Sequence, residues 1–237
     1  MTMFANKKVL VLGGSRGIGA AIVRRFATEG AVVTFTYAGS RDAAELLAAD
    51  TGATAVLTDS ADRDAVIARV RDSGPLDVLV VNAGYALFGD ALEQDPDAID
   101  HLFRVNVHAP YHASVEAARQ MPEGGRIIVI GSVNGDRMPL PGMASYALSK
   151  SALQGMARGL ARDFGPRGIT INVVQPGPID TDANPGDGPM KDLMHSFMAI
   201  KRHGRPEEVA GVVAWLAGPE AGFVTGAMHT IDGAFGA

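Results

Sequence analysis

The chain has 237 residues, of which 47% are hydrophobic and 20% are charged, and its formal net charge is −5. Such a composition is that of a packed protein and excludes a wholly disordered chain. The negative charge disfavours a nucleic-acid polymer as a partner. Because cysteine is absent, disulfides, thiol catalysis and thiolate metal sites are excluded. Neither a secretory signal nor an apolar run of about 18 residues is visible, so we expect a cytoplasmic protein without a membrane span.

Short apolar runs alternate with longer stretches of helical periodicity along the chain. The predicted strands are 8–12, 32–36, 54–57, 76–81, 126–130, 169–174 and 227–231. The predicted helices are 17–29, 41–50, 62–72, 96–120 in two pieces, 144–164 and 206–217, and the last of these is expected to bury Trp215.

Nearly all the predicted strands are apolar throughout, which is typical of parallel strands covered on both faces. We therefore predict a single domain over residues 1–237 with a Rossmann fold, a doubly wound parallel sheet of six to seven strands with helices on both faces. Residues 178–205 are rich in Pro, Gly, Asp and Met and are predicted to form a substrate lid around one short helix.

Glycines cluster directly after the first predicted strand, in the spacing Gly-x-x-x-Gly-x-Gly. Glycines allow a tight turn and let backbone N–H groups approach a pyrophosphate, and the next helix offers its positive N-terminus. A purely structural turn is the alternative, but the position between a strand and a helix favours dinucleotide binding. The residues of this predicted cofactor loop are Gly13, Ser15, Arg16, Gly17, Ile18 and Gly19.

The type of dinucleotide is predicted from the residues around the end of the second strand. A carboxylate there would bind a ribose 2′-hydroxyl and favour NAD, but Asp42 comes later, within the next predicted helix. Arg16 and Arg41 suit a 2′-phosphate, so we predict NADP(H), with two solvated surface arginines as the alternative. The contacts predicted after this strand are Tyr37, Ala38, Gly39, Ser40 and Arg41.

A catalytic group is predicted after the fifth strand and on the long helix that follows. Ser132 ends the strand, and Tyr146 and Lys150, four residues apart, share one helix face. The Lys150 ammonium, especially together with a nicotinamide cation, would lower the pKa of the Tyr146 phenol from its usual value near 10. Tyr146 could then exchange a proton with a carbonyl or alcohol oxygen that Ser132 holds.

Over essentially the whole chain, these motifs resemble the short-chain dehydrogenase/reductase family. The matching elements, in family order, are Gly13–Gly19, Asn82-Ala83-Gly84, Asn106, Ser132, Tyr146 with Lys150, and Pro176-Gly177. The resemblance implies that Tyr146 is the acid/base and that Ser132 anchors the substrate oxygen. It also implies that Lys150 binds the nicotinamide ribose and tunes Tyr146, while Asn106 holds a water of the proton relay.

The same resemblance implies the remaining cofactor contacts, a small carbonyl or alcohol substrate, and a homodimer or homotetramer formed through the two long central helices. It places the adenine at Asp59 and Ser60, the cofactor along Asn82, Ala83 and Gly84, and the carboxamide at Pro176, Gly177, Ile179 and Thr181. Two departures from the family pattern matter. Val81 stands beside the Asn-Ala-Gly segment where the family has asparagine, and Leu12 stands where the family has threonine. The hydroxyl that ties the first strand to the Asn-Ala-Gly strand is missing, and we expect a looser site.

Three stretches, 121–126, 131–138 and 175–185, are similar to an enterobacterial branch of this family described as binding cyclic di-GMP and promoting biofilm dispersal. That similarity implies a second hypothesis, a nucleotide-binding protein on a reductase scaffold. The cofactor pocket, which fits a purine, two phosphates and two riboses, could hold such a dinucleotide. The intact set of Asn106, Ser132, Tyr146 and Lys150 favours an enzyme. The six histidines show no metal-ligand spacing with acids, so no metal site is predicted.

Overall fold

Seven parallel strands form one sheet in the computed structural model, which describes residues 2–237. They are β1 Lys8–Leu12, β2 Val32–Tyr37, β3 Thr54–Leu57, β4 Val78–Val81, β5 Arg126–Ile130, β6 Thr170–Pro176 and β7 Met228–Ile231. Their order is β3-β2-β1-β4-β5-β6-β7, so the chain reverses direction across the sheet between β1 and β4. Ligands of such sheets bind at the carboxyl ends of the strands beside this reversal.

Residues 2–237 form eight α-helices, six of which cover the two faces of the sheet, as the Rossmann prediction requires. They are α1 Gly17–Thr28, α2 Arg41–Thr51, α3 Arg63–Asp72, α4 Pro96–Phe103, α5 Ala109–Gln120, α6 Ala144–Phe164, α7 Lys191–Phe197 and α8 Pro206–Ala217. One core cluster joins the sheet to α1, α2 and α8, and a second joins its other face to α3, α5 and α6. The fold class predicted from the apolar strands is therefore confirmed.

Local sequence explains where several helices begin. The Asp62 carboxylate accepts hydrogen bonds from the backbone N–H groups of Asp64 and Ala65, both at 3.0 Å, and so caps α3. Asp95 caps α4 in the same way and is followed by Pro96, which suits the first helical position. The predicted elements are found with boundaries within about two residues of those expected.

The predicted helix over 96–120 is interrupted by a π-helix, Arg104–His108, which joins α4 to α5. A π-turn adds one residue to the helical turn and is found frequently at functional sites. Asn106 lies at its centre and is 1% exposed. Asn106, a predicted site residue, therefore points into the interior from this π-helix.

One predicted core residue lies elsewhere. Trp215 on α8 is 41% exposed, and its ring meets the His229 ring edge-on at 5.9 Å. Its predicted core neighbours on α8 fare better, since Val213 and Leu216 are buried and Val212 is partly buried against the same core cluster. Within residues 2–237, no helix combines the length and the apolar character that crossing a membrane requires.

Candidate active site

The register of the parallel strands brings the predicted motifs to one edge of the sheet. Leu12 pairs with Val81, Val81 pairs with Val129, and Ile130 pairs with Val174. The segments that follow these strands therefore emerge side by side. They are the glycine loop at 13–19, the Asn82-Ala83-Gly84 segment, the Ser132 loop and the 176–181 segment.

The glycine loop has the backbone that its sequence predicts. Gly13 has φ +78°, and a Cβ on it would lie 2.7 Å from Ala83 Cα. Gly17 has φ +51° and begins α1, with the exposed Arg16 at the N-cap. A side chain at Gly19 would collide with the Gly13 carbonyl oxygen and with the Asn82 amide. Only glycine allows this approach of the loop to the Asn-Ala-Gly strand.

The expectation that Leu12 loosens the site is not supported by the contacts. Asn82 N and Ala83 N both donate to the Leu12 backbone oxygen, at 2.9 and 2.8 Å, and Asn82 Nδ2 donates to the Gly13 oxygen at 2.6 Å. On the other side of the loop, Gly13 N donates to Thr36 Oγ1 at 2.9 Å. Backbone groups and the Asn82 amide therefore tie β1 and the glycine loop to the Asn-Ala-Gly segment, while the Thr36 hydroxyl ties the loop to β2.

The residues predicted at the adenosine end surround the open end of this loop. Arg41 is exposed at the start of α2 and lies 3.8 Å from the Glu45 carboxylate, a loose ion pair. Ala38, Gly39 and Asp59 are also exposed, and Ser15, Ser40 and Ser60 are half-buried. Two predicted contacts differ in character, since the Tyr37 and Ile18 side chains pack in or against the hydrophobic core. Tyr37 is 8% exposed and Ile18 is partly buried, so the backbone groups of both residues are their main means of contact with a ligand.

The predicted catalytic side chains converge on the other side of the strand edge. Ser132 is 9% exposed, its Oγ accepts a hydrogen bond from Asn134 N at 3.1 Å, and its side chain lies near enough to the Tyr146 phenol to influence the pKa of that group. Lys150 is 5% exposed, and its Nζ lies 5.8 Å from the centre of the Tyr146 ring. A Cβ on Gly84 would meet Lys150 Nζ at 3.4 Å, so the lysine faces the Asn-Ala-Gly segment.

The Lys150 ammonium alone does not lower the pKa of Tyr146 below its usual value. Burial raises the pKa of the Tyr146 phenol, and the neighbouring Ser132 side chain lowers it only in part. Burial also lowers the pKa of the Lys150 ammonium to about 8. Loss of solvent around the phenol is the larger of the two influences on its pKa. Tyr146 is therefore a protonated acid at neutral pH, beside a lysine that is mostly charged.

Asn106 has all its side-chain groups in hydrogen bonds to protein. Its Oδ1 accepts from Tyr85 N at 2.8 Å, and its Nδ2 donates to Tyr85 O at 2.8 Å and to Ser149 Oγ at 3.0 Å. Ser149 Oγ in turn donates to Tyr146 O at 2.7 Å. The Asn106 side chain thus fixes the segment after β4 and the Tyr146 turn, and any water of a relay must meet its backbone instead.

The 176–181 segment closes the predicted site from the lid side. Thr181 Cγ2 would lie 3.1 Å from a Cβ on Gly17, so this residue faces the glycine loop. Ile179 is 5% exposed and pairs with Gly204, which holds the base of the lid. Pro176 is buried, and a Cβ on Gly177 would lie 2.6 Å from Asp232 Cβ. The 176–181 segment therefore lies next to the glycine loop, so the residues predicted to bind the carboxamide and the pyrophosphate line the same cleft.

Three contributing residues were not predicted from the sequence. Thr36 is a buried hydroxyl residue in β2, a strand expected to be apolar, and Ser149 is a buried hydroxyl residue in α6. Arg137 follows the Ser132 loop. A hydroxyl in a buried strand needs a hydrogen-bond partner, which is a signal that could have identified Thr36. Among residues 2–237, no group of three or more His, Asp or Glu side chains could hold a metal.

Comparison with known proteins relates the chain to reductases. The family model described as enoyl-(acyl carrier protein) reductase matches residues 13–235. The cyclic-di-GMP-binding biofilm dispersal mediator protein of Escherichia coli (strain K12) is 80% identical over 237 residues, which are 100% of each chain. The 3-oxoacyl-[acyl-carrier-protein] reductase MabA of Mycobacterium bovis is 37% identical over 236 residues, 98% of this chain and 94% of that protein.

A solved structure is also similar to this chain in its three-dimensional fold. The crystal structure of BdcA in complex with NADPH is 80% identical and has a TM-score of 0.98, covering 99% of this chain and 96% of the other. The backbone that surrounds NADPH in that protein is therefore reproduced here almost throughout.

Proposed function

Because the chain belongs to the short-chain dehydrogenase/reductase family, we propose that it transfers a hydride between NADP(H) and a small carbonyl or alcohol substrate. The observation that carries the proposal is the convergence of Ser132, Tyr146 and Lys150 at the carboxyl edge of the sheet, opposite the glycine loop. A protein that only binds nucleotides has no use for a buried phenol, hydroxyl and ammonium in this arrangement.

The residues around the cleft fit NADPH. The glycine loop offers backbone N–H groups at the start of α1, where the helix dipole favours a pyrophosphate. Arg16 and Arg41 are both exposed beside the end of β2, and no carboxylate ends that strand. Two guanidinium groups in this position match a 2′-phosphate. NADPH in the 80% identical relative supports the same cofactor here.

The proton step is carried by this chain's own residues. When bound, NADPH supplies the hydride, while the protein supplies orientation and the proton. Ser132 holds the carbonyl oxygen through its hydroxyl, and Tyr146 donates its phenolic proton to the same oxygen. The raised pKa of Tyr146 keeps that proton in place until it is needed. The Lys150 ammonium then stabilises the tyrosinate that forms, in surroundings where water does not screen it.

Turnover by wild-type protein and by Tyr146→Phe tests the proposal. The assay follows NADPH oxidation with acetoacetyl-CoA, ethyl acetoacetate, acetophenone and benzaldehyde as carbonyl probes. Wild type should reduce at least one of them with NADPH, and Tyr146→Phe should reduce it at least about a hundred times more slowly while it binds NADPH nearly as well. Turnover retained by Tyr146→Phe, or no turnover of any probe by wild type, would argue against the proposal.

Cyclic di-GMP binding is the second candidate function, and the name of the 80% identical relative favours it. We place the ligand in the cofactor cleft, because that cleft accommodates two phosphates and two riboses. Calorimetric titration of cyclic di-GMP with and without saturating NADPH tests this, and binding that NADPH abolishes is expected. Binding that NADPH leaves unchanged would point instead to the cavity of about 440 Å³ between α3 and the π-helix, lined by Arg63 and Arg104 among others. The absence of binding would remove this candidate.

We also propose a homodimer or homotetramer formed through α5 and α6. Both helices carry exposed apolar side chains, Tyr111 at 46% exposure on α5 and Leu148 at 60% on α6. Exposed apolar residues on neighbouring helices are typical of protein interfaces. Light scattering after size-exclusion chromatography should give a mass of two or four chains, and a monomer would contradict the proposal.

A further inference from the structure

Arg137 joins two parts of the chain that lie about a hundred residues apart. Its Nη1 donates to the Phe235 backbone oxygen and to the Ala237 backbone oxygen, both at 2.7 Å. Arg137 comes five residues after Ser132, and its own N–H donates to Val133 O at 2.9 Å. The guanidinium therefore connects the turn that carries Ser132 directly to the segment Asp232–Ala237.

That segment is held in a defined conformation. Asp232 Oδ1 accepts from Ala234 N at 2.9 Å, and Asp232 Oδ2 accepts from Gly236 N at 2.7 Å. Ala234 has φ +63°, a left-handed conformation that a residue with a side chain rarely adopts. Such conformations persist where the surroundings hold them, and they are frequent near functional sites. The hydrogen bonds from Asp232 and Arg137 are the contacts that hold this one.

The segment also packs against the lid. Phe235 is 4% exposed and lies in a small apolar cluster with Val133 and Met198, and its ring centre is 5.7 Å from that of Phe197. Phe197 is the last residue of lid helix α7. Ala199 N and Ile200 N both donate to the Gly233 oxygen, at 2.9 and 3.1 Å. The ring contact and the two backbone hydrogen bonds together hold the end of the lid helix against the segment Asp232–Ala237.

The same segment touches the nicotinamide side of the cleft. Gly177 N donates to the Ile231 oxygen at 3.0 Å, and Gly177 lies directly against Asp232. The Ser132 loop, the lid and the Pro176-Gly177 turn thus share one neighbour. From this we infer that Arg137 is a positioning residue of the reductase, which couples the lid to the Ser132 hydroxyl by clamping the segment Asp232–Ala237. The inference rests on the proposed reductase function.

Arg167 provides a matched control for Arg137. Its guanidinium also donates to two backbone oxygens, those of Ala118 and Met121, at the opposite edge of the sheet from the lid. Arg167→Gln and Arg137→Gln therefore remove the same kind of clamp from two different places. A purely structural role predicts that both variants behave alike, whereas a positioning role predicts a change at the site for Arg137→Gln alone.

The first test is the separation of KM from kcat with the best carbonyl probe of the panel above. Arg137→Gln should raise KM for the carbonyl by about tenfold or more, since a small misplacement of a positioned group has effects of this size. NADPH affinity and the thermal midpoint should match those of Arg167→Gln, and Arg137→Lys, which can reach one oxygen at a time, should recover part of the loss. Equal KM values for wild type, Arg137→Gln and Arg167→Gln would overturn the inference.

Limited trypsin digestion tests the clamp without any substrate. Cleavage within the lid, after Lys191 or Lys201, should be faster in Arg137→Gln than in wild type or Arg167→Gln. Equal rates in the three proteins would overturn the inference. If no carbonyl probe is reduced by wild type, the reductase proposal fails, and the digestion still decides whether Arg137 holds the lid.

Discussion

The Lys150 ammonium donates a hydrogen bond to the Ile130 backbone oxygen across 3.2 Å, two residues before Ser132. Lys150 is 5% exposed, and burial lowers its pKa to about 8. A buried cation of this kind destabilises the folded chain. Its position beside the Tyr146 phenol is explained by the proposed role of Lys150 in catalysis. Stability given up at a functional site is a common trade in enzymes.

Replacement of this lysine should therefore stabilise the protein and inactivate it. The lowered pKa corresponds to about 3 kcal/mol at neutral pH. Loss of the donor to the Ile130 oxygen returns about 1 kcal/mol of that gain. Lys150→Met should be more stable than wild type by about 2 kcal/mol at pH 7 in urea unfolding, with no turnover.

The pH dependence of that difference has a defined sign. The folded-state pKa lies below the unfolded value, so the wild type carries the full penalty below about pH 8 and loses it between pH 8 and about 10.5. The advantage of Lys150→Met should shrink over this window. A difference that stays constant from pH 7 to pH 10 would show that the ammonium is not desolvated.

Carbonyl reduction should depend on the same group. Tyr146 keeps its proton well above neutral pH because burial raises its pKa, so the first group to titrate is Lys150. The kcat of reduction by the wild type should fall as the pH rises through about 8, when the charge that stabilises the tyrosinate is lost. A profile that is flat up to pH 10 would argue against this role of Lys150.

Arg16 and Arg41 should select the phosphorylated cofactor. Each guanidinium can form charge-assisted hydrogen bonds with a 2′-phosphate, worth about 1.5–3 kcal/mol apiece. Arg16→Ala with Arg41→Ala should weaken NADPH binding by roughly two orders of magnitude or more and leave the weaker NADH binding unchanged. Calorimetry with both cofactors measures this, and equal losses for NADPH and NADH would mean that the arginines do not contact the 2′-phosphate.

Thr36 should contribute to cofactor binding because its hydroxyl anchors the first glycine of the loop to β2. Thr36→Val keeps the shape of the side chain but leaves Gly13 N without its acceptor at 2.9 Å. A buried unpaired donor costs about 1–3 kcal/mol. Urea unfolding should show a loss of this size together with weaker NADPH binding. Leu12→Thr is the companion variant. Combined with Thr36→Val, it introduces a new hydroxyl next to the loop, and the double variant should recover part of the lost NADPH affinity.

Much of this architecture follows from local patterns in the sequence. Strands buried on both faces must be apolar along their whole length, so β1, β4 and β5 were predictable almost to the residue. The glycine loop was predictable because its backbone requires glycine at Gly13 and Gly17. The Tyr146–Lys150 pair was predictable because helical spacing alone places both side chains on one face.

The remaining features depend on contacts between distant parts of the chain. The partner of Arg137 lies about a hundred residues away, and no spacing rule relates the two. Apolar periodicity led to the wrong prediction that Trp215 is buried. Such periodicity identifies an apolar face of a helix but does not show whether that face is covered by the core or exposed at the surface. The direction of the Tyr146 pKa shift depends on burial and on the neighbouring Ser132 side chain, neither of which a four-residue spacing specifies.

The most direct test of the reductase account is transfer of deuterium from NADPH labelled at the nicotinamide C4 to a carbonyl probe, followed by mass spectrometry of the alcohol. The wild type should yield alcohol with one deuterium on the former carbonyl carbon, whereas Tyr146→Phe should lose about two to four orders of magnitude in rate. Labelled alcohol formed equally fast by Tyr146→Phe would contradict the role of Tyr146. No labelled alcohol from the wild type would contradict hydride transfer itself.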